Sequence, residues 1–214
     1  SEGVKHVKKK MLTKYKDNDL GDRTLATKRM ELLRALHCEQ PRSILEVGSN
    51  AGHSSSLYLI NLPNTQVHSV DMCFHPYTPV NLKMIRGQFK GRYTFQCGSS
   101  HKTLPKMKGS RQPPVYDWIT VDGDHSFDGA YHDILDVCYF SHNTTILMMD
   151  DCELHCQGRM NTDGKGGCAV PTKSFLQAAK DGLLVPHNDS KAVLDTNHLN
   201  CFASFLPKCQ RQAE

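Results

Sequence analysis

Acidic residues in this chain recur directly after runs of apolar residues. Asp71 ends the run QVHSVD, the tetrapeptide DGDH (122–125) follows YDWITV, and Asp150-Asp151 follows TTILMM. Each run has the length and composition of a strand, and ligands of parallel sheets bind beyond the carboxyl ends of the strands. Carboxylates and an imidazole at one edge of a sheet could bind hydroxyl groups, hold a hard cation and accept a proton. We therefore expect the chemistry at that edge.

A glycine-containing turn, SILEVGSNAG (43–52), precedes these residues. The apolar run ends at Gly48, and a helix-like segment follows Gly52. Such glycines let the backbone approach a ligand, and a helix N-terminus offers unpaired N–H groups. The turn has neither the GxGxxG nor the GK[ST] pattern of phosphate-binding loops, which favours a nucleoside without phosphates, such as S-adenosylmethionine. Asp71, at the end of the next strand, stands where a carboxylate binds both ribose hydroxyls.

Strand-like and helix-like segments alternate along the chain. Periodicity and breaker residues predict helices at 22–38, 53–62, from 127 onward and from 171 to 181, and strands at 43–47, 66–72, 93–97, 116–121, 144–149, 183–186 and 201–206. The segment 106–114 is predicted to be a loop. The alternation indicates an α/β, Rossmann-like fold, with an open, mostly parallel seven-stranded sheet, helices on both faces and an antiparallel last strand.

Length and charge predict one domain. We assign 22–209 to it, with a basic arm or helix at 1–21 and a short tail at 210–214; the net charge of +4 is concentrated in the arm. A small-molecule partner is expected and a homodimer is left open. Nucleic acid is disfavoured, because no aromatic residue interleaves the lysines before Tyr15. Without a membrane-spanning run or a signal-peptide pattern, we expect a cytoplasmic protein. The alternative is the secretory pathway, suggested by sequons at Asn143 and Asn188 and by nine cysteines.

The odd number of cysteines is not typical of a disulfide framework. Cys38, Cys97 and Cys138 lie in apolar periodic segments, so we expect buried thiols there. Cys152, Cys156 and Cys168 surround a glycine-rich segment, 152–170, that should cover the substrate. For these three we favour free thiols over a disulfide, and a disulfide over zinc, because the paired CxxC pattern is missing.

Taken in order, the motifs resemble those of class I S-adenosylmethionine-dependent methyltransferases. The segments that carry the resemblance are EVGSNAG, SVD, QCGSSHKTLP, YDWITVDGDHSFDGAYHDI and ILMMDD, within roughly residues 40–185. They are most similar to the branch with a DGDHSY-like sequence, which includes macrocin-type sugar O-methyltransferases and is related to catechol O-methyltransferases. The segment DGDHSFDGAYHD is the most distinctive of them.

The resemblance implies a role for each matching residue. The methionine end of the cofactor would be framed by Glu46, Gly48, Ser49, Asn50 and Gly52, the ribose held by Asp71, and the adenine flanked by Gly98, Ser99 and Ser100. Asp122, Asp150 and Asp151 match positions where metal-dependent relatives hold Mg²⁺. His125 matches the base of sugar-modifying relatives, and in a metal-free member Asp122 would face the cofactor.

The implied reaction is divalent-metal-assisted O-methylation of a small hydroxylated substrate, such as a sugar or a catechol-like group. A hydroxyl that accepts a methyl group must lose its proton, and a hard cation both positions the oxygen and lowers its pKa. Two alternatives remain open: a metal-independent methyltransferase, and a non-catalytic S-adenosylmethionine-binding domain whose basic N-terminus holds a partner such as RNA. Asp122, Asp124 or Ser126 could instead cap the helix that follows.

Overall fold

The structure is a computed structural model that describes residues 23–152 (side chains from Lys28), 170–187 and 200–209. The helices are α1 (Arg23–Glu39), α2 (His53–Asn61), α3 (Tyr77–Gln88), α4 (Ser100–Lys108), α5 (Phe127–Cys138) and α6 (Val170–Lys180). The strands are β1 (Ser43–Val47), β2 (Gln66–Asp71), β3 (Tyr93–Cys97), β4 (Trp118–Val121), β5 (Ile146–Asp150), β6 (Leu184–Pro186) and β7 (Asn200–Phe205). The basic arm and most of the glycine-rich segment, both discussed above, lie outside the described residues.

The seven strands form one sheet in the order β3-β2-β1-β4-β5-β7-β6. The first five pair in parallel, whereas β7 pairs antiparallel with both β5 and β6. The predicted fold class is therefore confirmed. The strand order reverses between β1 and β4, and open sheets of this kind bind ligands at such a point.

Apolar side chains cover both faces of the sheet. One cluster joins α4, α5 and α6 to the sheet and includes Ile134 and Phe175, and the other joins α1, α2 and α3 and includes Leu36 and Tyr58. Every residue of β4 is buried, as expected for a central strand covered on both faces. The core thus holds the carboxyl ends of β1 and β4 rigidly beside each other.

Helix α4 was not predicted from the sequence. It runs through Pro105 and includes the start of the segment that we expected to be a loop. Burial of Leu104 and Met107 against the core explains this, because packing overrides the low helix propensity of one proline.

The cysteine predictions were largely wrong. Cys97 forms a disulfide with Cys73, Cys138 with Cys209, and Cys152 with Cys201, at sequence separations of 24, 71 and 49 residues. Cys38, expected to be buried, is exposed and is the free cysteine among the described residues. The partners are brought together by strand pairing and helix docking, which local spacing does not encode. Cys156 and Cys168 lie outside the described residues.

No helix within the described parts of the chain combines the length and the apolar character that a membrane crossing needs.

Candidate functional site

The ends of β1 and β4 come into direct contact at Gly48. This residue has a φ of +87°, and a Cβ placed on it would lie 1.8 Å from the carbonyl oxygen of Asp122. Backbone hydrogen bonds fix the arrangement, because Gly48 N–H donates to Val70 and Asp122 N–H donates to Val47, each at 2.8 Å. Only glycine fits here. The turn after β1 and the DGDH segment therefore form two walls of one crevice.

Glu46 lies beneath the turn rather than in the crevice. It is fully buried, and its carboxylate accepts hydrogen bonds from four serine hydroxyls. The donors are Ser49 and Ser69, each at 2.8 Å, together with Ser54 and Ser55. Burial raises the pKa of Glu46, and the hydroxyl donors partly oppose that rise. With no exposed surface, Glu46 positions the turn through Ser49 and is not itself placed to touch a ligand.

Asp71 joins two loops at the same edge of the sheet. Its Oδ2 accepts from the backbone N–H of Asn50 at 2.7 Å, and its Oδ1 accepts from the N–H of Cys73 at 2.6 Å. The Tyr77 hydroxyl donates to Asn50 Oδ1 at 2.8 Å. The disulfide between Cys73 and Cys97 ties the loop after β2 to the end of β3. The residue predicted to bind ribose is thus held in place, partly exposed, beside the glycine turn.

Sequence reasoning missed an apolar surface next to Asp71. Met72 is 68% exposed and Phe74 is 82% exposed. The available signal was the sequence MCF directly after a strand-end carboxylate. Gly98, Ser99 and Ser100, predicted to lie near adenine, are half-buried where β3 leads into α4. The exposed side chains of Met72 and Phe74 and the N-terminus of α4 would suit the flat, polar-edged adenine ring that the sequence predicts here.

The other side of the crevice carries charged residues. His125 Nε2 lies 3.2 Å from Asp122 Oδ1, and its Nδ1 lies 3.6 Å from Asp151 Oδ2. The hydrogen bond with Asp122 is the main cause that raises the pKa of His125. Ser126, one of the three predicted caps, caps α5 by accepting from the N–H of Gly129 at 3.0 Å, so Asp122 is not needed as the cap. The helix start thus leaves both side chains available at the crevice.

Asp150 and Asp151 have a partner that sequence reasoning missed. Lys28 Nζ, on α1, lies 2.5 Å from Asp150 Oδ1 and 2.9 Å from Asp151 Oδ1. Burial raises the pKa of Asp150 to about 7, Asp122 adds to the rise, and Lys28 opposes it. No local pattern pointed to Lys28, which lies in a helix recognised only by its leucine face.

One ligand atom from each of Asp122, His125 and Asp151 lies within 4.8 Å of the others. Hard divalent cations take one or two carboxylates and complete their coordination with water and substrate oxygens. Asp122 and Asp151 fit that requirement. Asp150, the third residue of the predicted metal set, directs Oδ1 at Lys28 instead.

Comparisons with known proteins found solved structures that share this fold. A methyltransferase from Podospora anserina, PaMTH1, described as SAH-bound, has a TM-score of 0.65 at 15% identity, with 96% of this chain and 88% of that chain covered. An O-methyltransferase from Bacillus cereus in complex with SAH has a TM-score of 0.63 at 13% identity, covering 96% and 91%. TomG, an O-methyltransferase from Streptomyces achromogenes involved in tomaymycin synthesis and solved with SAM, has a TM-score of 0.61 at 12% identity, covering 96% and 90%. At these identities the likeness concerns the fold alone.

A search of curated protein sequences found no significant match. The sequence profile of one family does match, over residues 45–152, which is just over half of the chain. The match begins in β1 and ends directly after Asp151, so it contains the glycine turn, Asp71 and the DGDH segment. The chain therefore belongs to the methyltransferase domain family.

Proposed function

We propose that this protein transfers the methyl group of S-adenosylmethionine to a hydroxyl oxygen of a small molecule. The observation that supports the proposal is the contact between Gly48 and Asp122, because it brings the glycine turn and the DGDH segment together in one crevice. The similar structures described with SAM or SAH, and as O-methyltransferases, support the donor and the oxygen acceptor.

The donor side follows from Asp71 and its neighbours. Its carboxylate accepts hydrogen bonds from the backbone N–H groups of Asn50 and Cys73. Its remaining lone pairs suit the vicinal hydroxyls of a ribose. Met72 and Phe74 offer the adjoining apolar surface for the base. When bound, the cofactor supplies an electrophilic methyl group on a sulfonium sulfur.

The acceptor side follows from His125. Its imidazole lies between Asp122 and Asp151 and is about half exposed, so a substrate hydroxyl can approach it. Neutral His125 takes the hydroxyl proton as the oxygen gains the methyl group, and where no cation is bound the two carboxylates stabilise the imidazolium that results. Because Nε2 is hydrogen-bonded with Asp122 at 3.2 Å, we assign the role of general base to Nδ1, which lies 3.6 Å from Asp151 Oδ2.

We also propose that a hard divalent cation such as Mg²⁺ assists, held by Asp122 and Asp151. It would position the substrate oxygen and lower the pKa of its hydroxyl. Its preference for oxygen ligands leaves His125 available as the base. The alternative is transfer by positioning and His125 alone.

The donor assignment is tested by calorimetric titration with S-adenosylmethionine. Wild-type protein should bind, and Asp71→Ala should weaken binding about 100-fold, since hydrogen bonds to a charged group are lost. Asp128→Ala, which removes an exposed carboxylate from the first turn of α5, is the matched control. Equal affinity for wild type and Asp71→Ala would contradict the ribose assignment.

The reaction is tested with a panel of hydroxyl compounds and detection of the methylated product. His125→Asn should abolish transfer while donor affinity is unchanged. A chelator should stop turnover and added Mg²⁺ should restore it, whereas chelator-resistant turnover would favour the metal-independent alternative.

We further propose that the protein works in an oxidising compartment, contrary to the cytoplasmic location expected from sequence. The three disulfides would be reduced in a typical cytosol, and Asn143 of the first sequon is exposed. Alkylation of the purified protein without reductant should leave the six paired cysteines unmodified and label Cys38. Labelling of all of them would overturn the proposal.

A further inference from the structure

Lys28 is the feature of the crevice that the reaction scheme above does not use. Its ammonium contacts Asp150 and Asp151 together, and its side chain is only 17% exposed. Lys28 and Asp150 are both largely buried, so water screens this pair less than a surface ion pair.

The position of Lys28 on α1 is well defined. Leu32 and Leu36 lie one and two turns further along the same helix face, and both are buried in the core. Residues at this spacing share a face, so packing of the two leucines directs Lys28 at the end of β5. Asn200, the first residue of β7, has its side-chain nitrogen 3.5 Å from the backbone oxygen of Lys28. The packing of α1 therefore fixes the position from which the Lys28 side chain reaches Asp150 and Asp151.

Lys28 and a divalent cation would use the same carboxylate. Asp151 directs Oδ1 at Lys28 and Oδ2 towards His125 and the proposed cation position. The attraction of Asp151 for a second cation falls while Lys28 neutralises it, and the two cations repel each other. Asp150 directs Oδ1 at the same ammonium.

We propose that Lys28 is the resident cation of the acceptor site, which competes with a divalent metal for Asp151 and sets how tightly this enzyme holds its metal. The proposal rests on the metal-assisted function above. Lys28 is in this respect a specificity-determining residue, because it permits weak, exchangeable metal binding and disfavours a tight resident ion. An ion pair that served only to fasten α1 would have no such effect on metal affinity.

The test is a titration of the wild type, Lys28→Met, Lys28→Arg and Lys83→Met with Mn²⁺, in which free Mn²⁺ is followed by electron paramagnetic resonance. Lys28→Met should bind Mn²⁺ about tenfold more tightly than wild type, a size typical of coupling between two sites. Lys28→Arg keeps the charge and should stay near wild type. Lys83→Met removes an exposed charge on α3 and should also match wild type. Adding Asp151→Asn to Lys28→Met should cancel the gain.

Equal or weaker Mn²⁺ binding by a folded Lys28→Met variant would overturn the proposal, as would Mn²⁺ binding by none of the proteins. In the latter case, S-adenosylmethionine titration of the same samples reports separately on the methyltransferase assignment. If the Lys28→Met variant does not fold, a hydrogen-exchange measurement on the wild type still tests the proposal. By reciprocal coupling, saturating Mn²⁺ should speed hydrogen exchange of the α1 amides after Lys28, and unchanged exchange would overturn the competition.

Discussion

The two sides of the crevice are held in place by different forces. On the donor side, around Glu46 and Asp71, carboxylates are satisfied by serine hydroxyls and backbone N–H groups, and a disulfide closes the loops. On the proposed acceptor side, Asp122, Asp150 and Asp151 contact the side chains of His125 and Lys28. The proposed donor side is therefore held by directional hydrogen bonds. The proposed acceptor side depends on ion pairs, so binding of a cation should change the contacts and the charge of its carboxylates.

Gly48→Ala should have the largest effect on the crevice, because it acts where the two sides touch and disturbs both. The new methyl group would collide with the Asp122 backbone, and the positive φ adds strain, so we expect a loss of about 3 kcal/mol in the free energy of unfolding. Urea denaturation measures it. Gly91→Ala is the matched control, since Gly91 has a φ of +77° but no atom within 4 Å of a built Cβ. That control should cost only about 1 kcal/mol. If both variants lost the same stability, the close contact of the two sides would be wrong.

Removal of the Cys73–Cys97 disulfide should have the next largest effect on the crevice, and within the crevice that effect should be confined to the proposed donor side. The double variant Cys73→Ser/Cys97→Ser frees a 24-residue loop, which should cost about 3 kcal/mol of stability. Because Cys73 N–H holds Asp71 Oδ1, affinity for S-adenosylmethionine should also fall, by about fivefold.

The control for this variant is Cys138→Ser/Cys209→Ser, whose disulfide spans 71 residues. It should cost about 4 kcal/mol by the same chain-entropy argument, yet leave donor affinity unchanged. Calorimetric titration below the unfolding temperature of both variants separates the two effects. An equal loss of donor affinity in both pairs would show that the first disulfide acts only through global stability.

Glu46→Gln should have the smallest effect, because the amide keeps the shape and one acceptor oxygen of the carboxylate. Burial raises the pKa of Glu46 above its ordinary value of 4.5. A raised carboxyl pKa means that the folded state binds the proton more tightly than the unfolded state, so the contribution to stability is present below pH 4.5 and is lost as pH rises through the folded-state pKa.

The difference in unfolding free energy between Glu46→Gln and wild type should therefore shift in favour of the variant as pH increases from about 4.5 towards neutrality. Denaturant melts at several pH values measure it, with exposed Glu39→Gln as the control. Parallel pH profiles for Glu46→Gln and wild type would show that burying the Glu46 charge does not lower the free energy of unfolding. That result would contradict the predicted pH dependence.

The positions of many candidate site residues were predictable because these residues follow strands. Gly48, Asp71, Asp122 and Asp150 each stand at a strand end, and the parallel connections place all those ends at one edge. Glu46 was harder to interpret. Its strand is buried on both faces, so the alternation of side chains did not show that it points beneath the turn.

The sequence alone determined the alternating α/β fold, the glycine turn and the row of acidic residues with His125, because strand periodicity, turn residues and helix starts are local properties of the chain. Tertiary structure alone decided the partners of those residues. Lys28 reaches Asp151 across 123 positions of sequence, and the three disulfides join segments that meet only when the sheet is complete. Ion pairs and disulfides depend on distances of a few ångströms between remote segments, and such distances are set by how helices dock on the sheet.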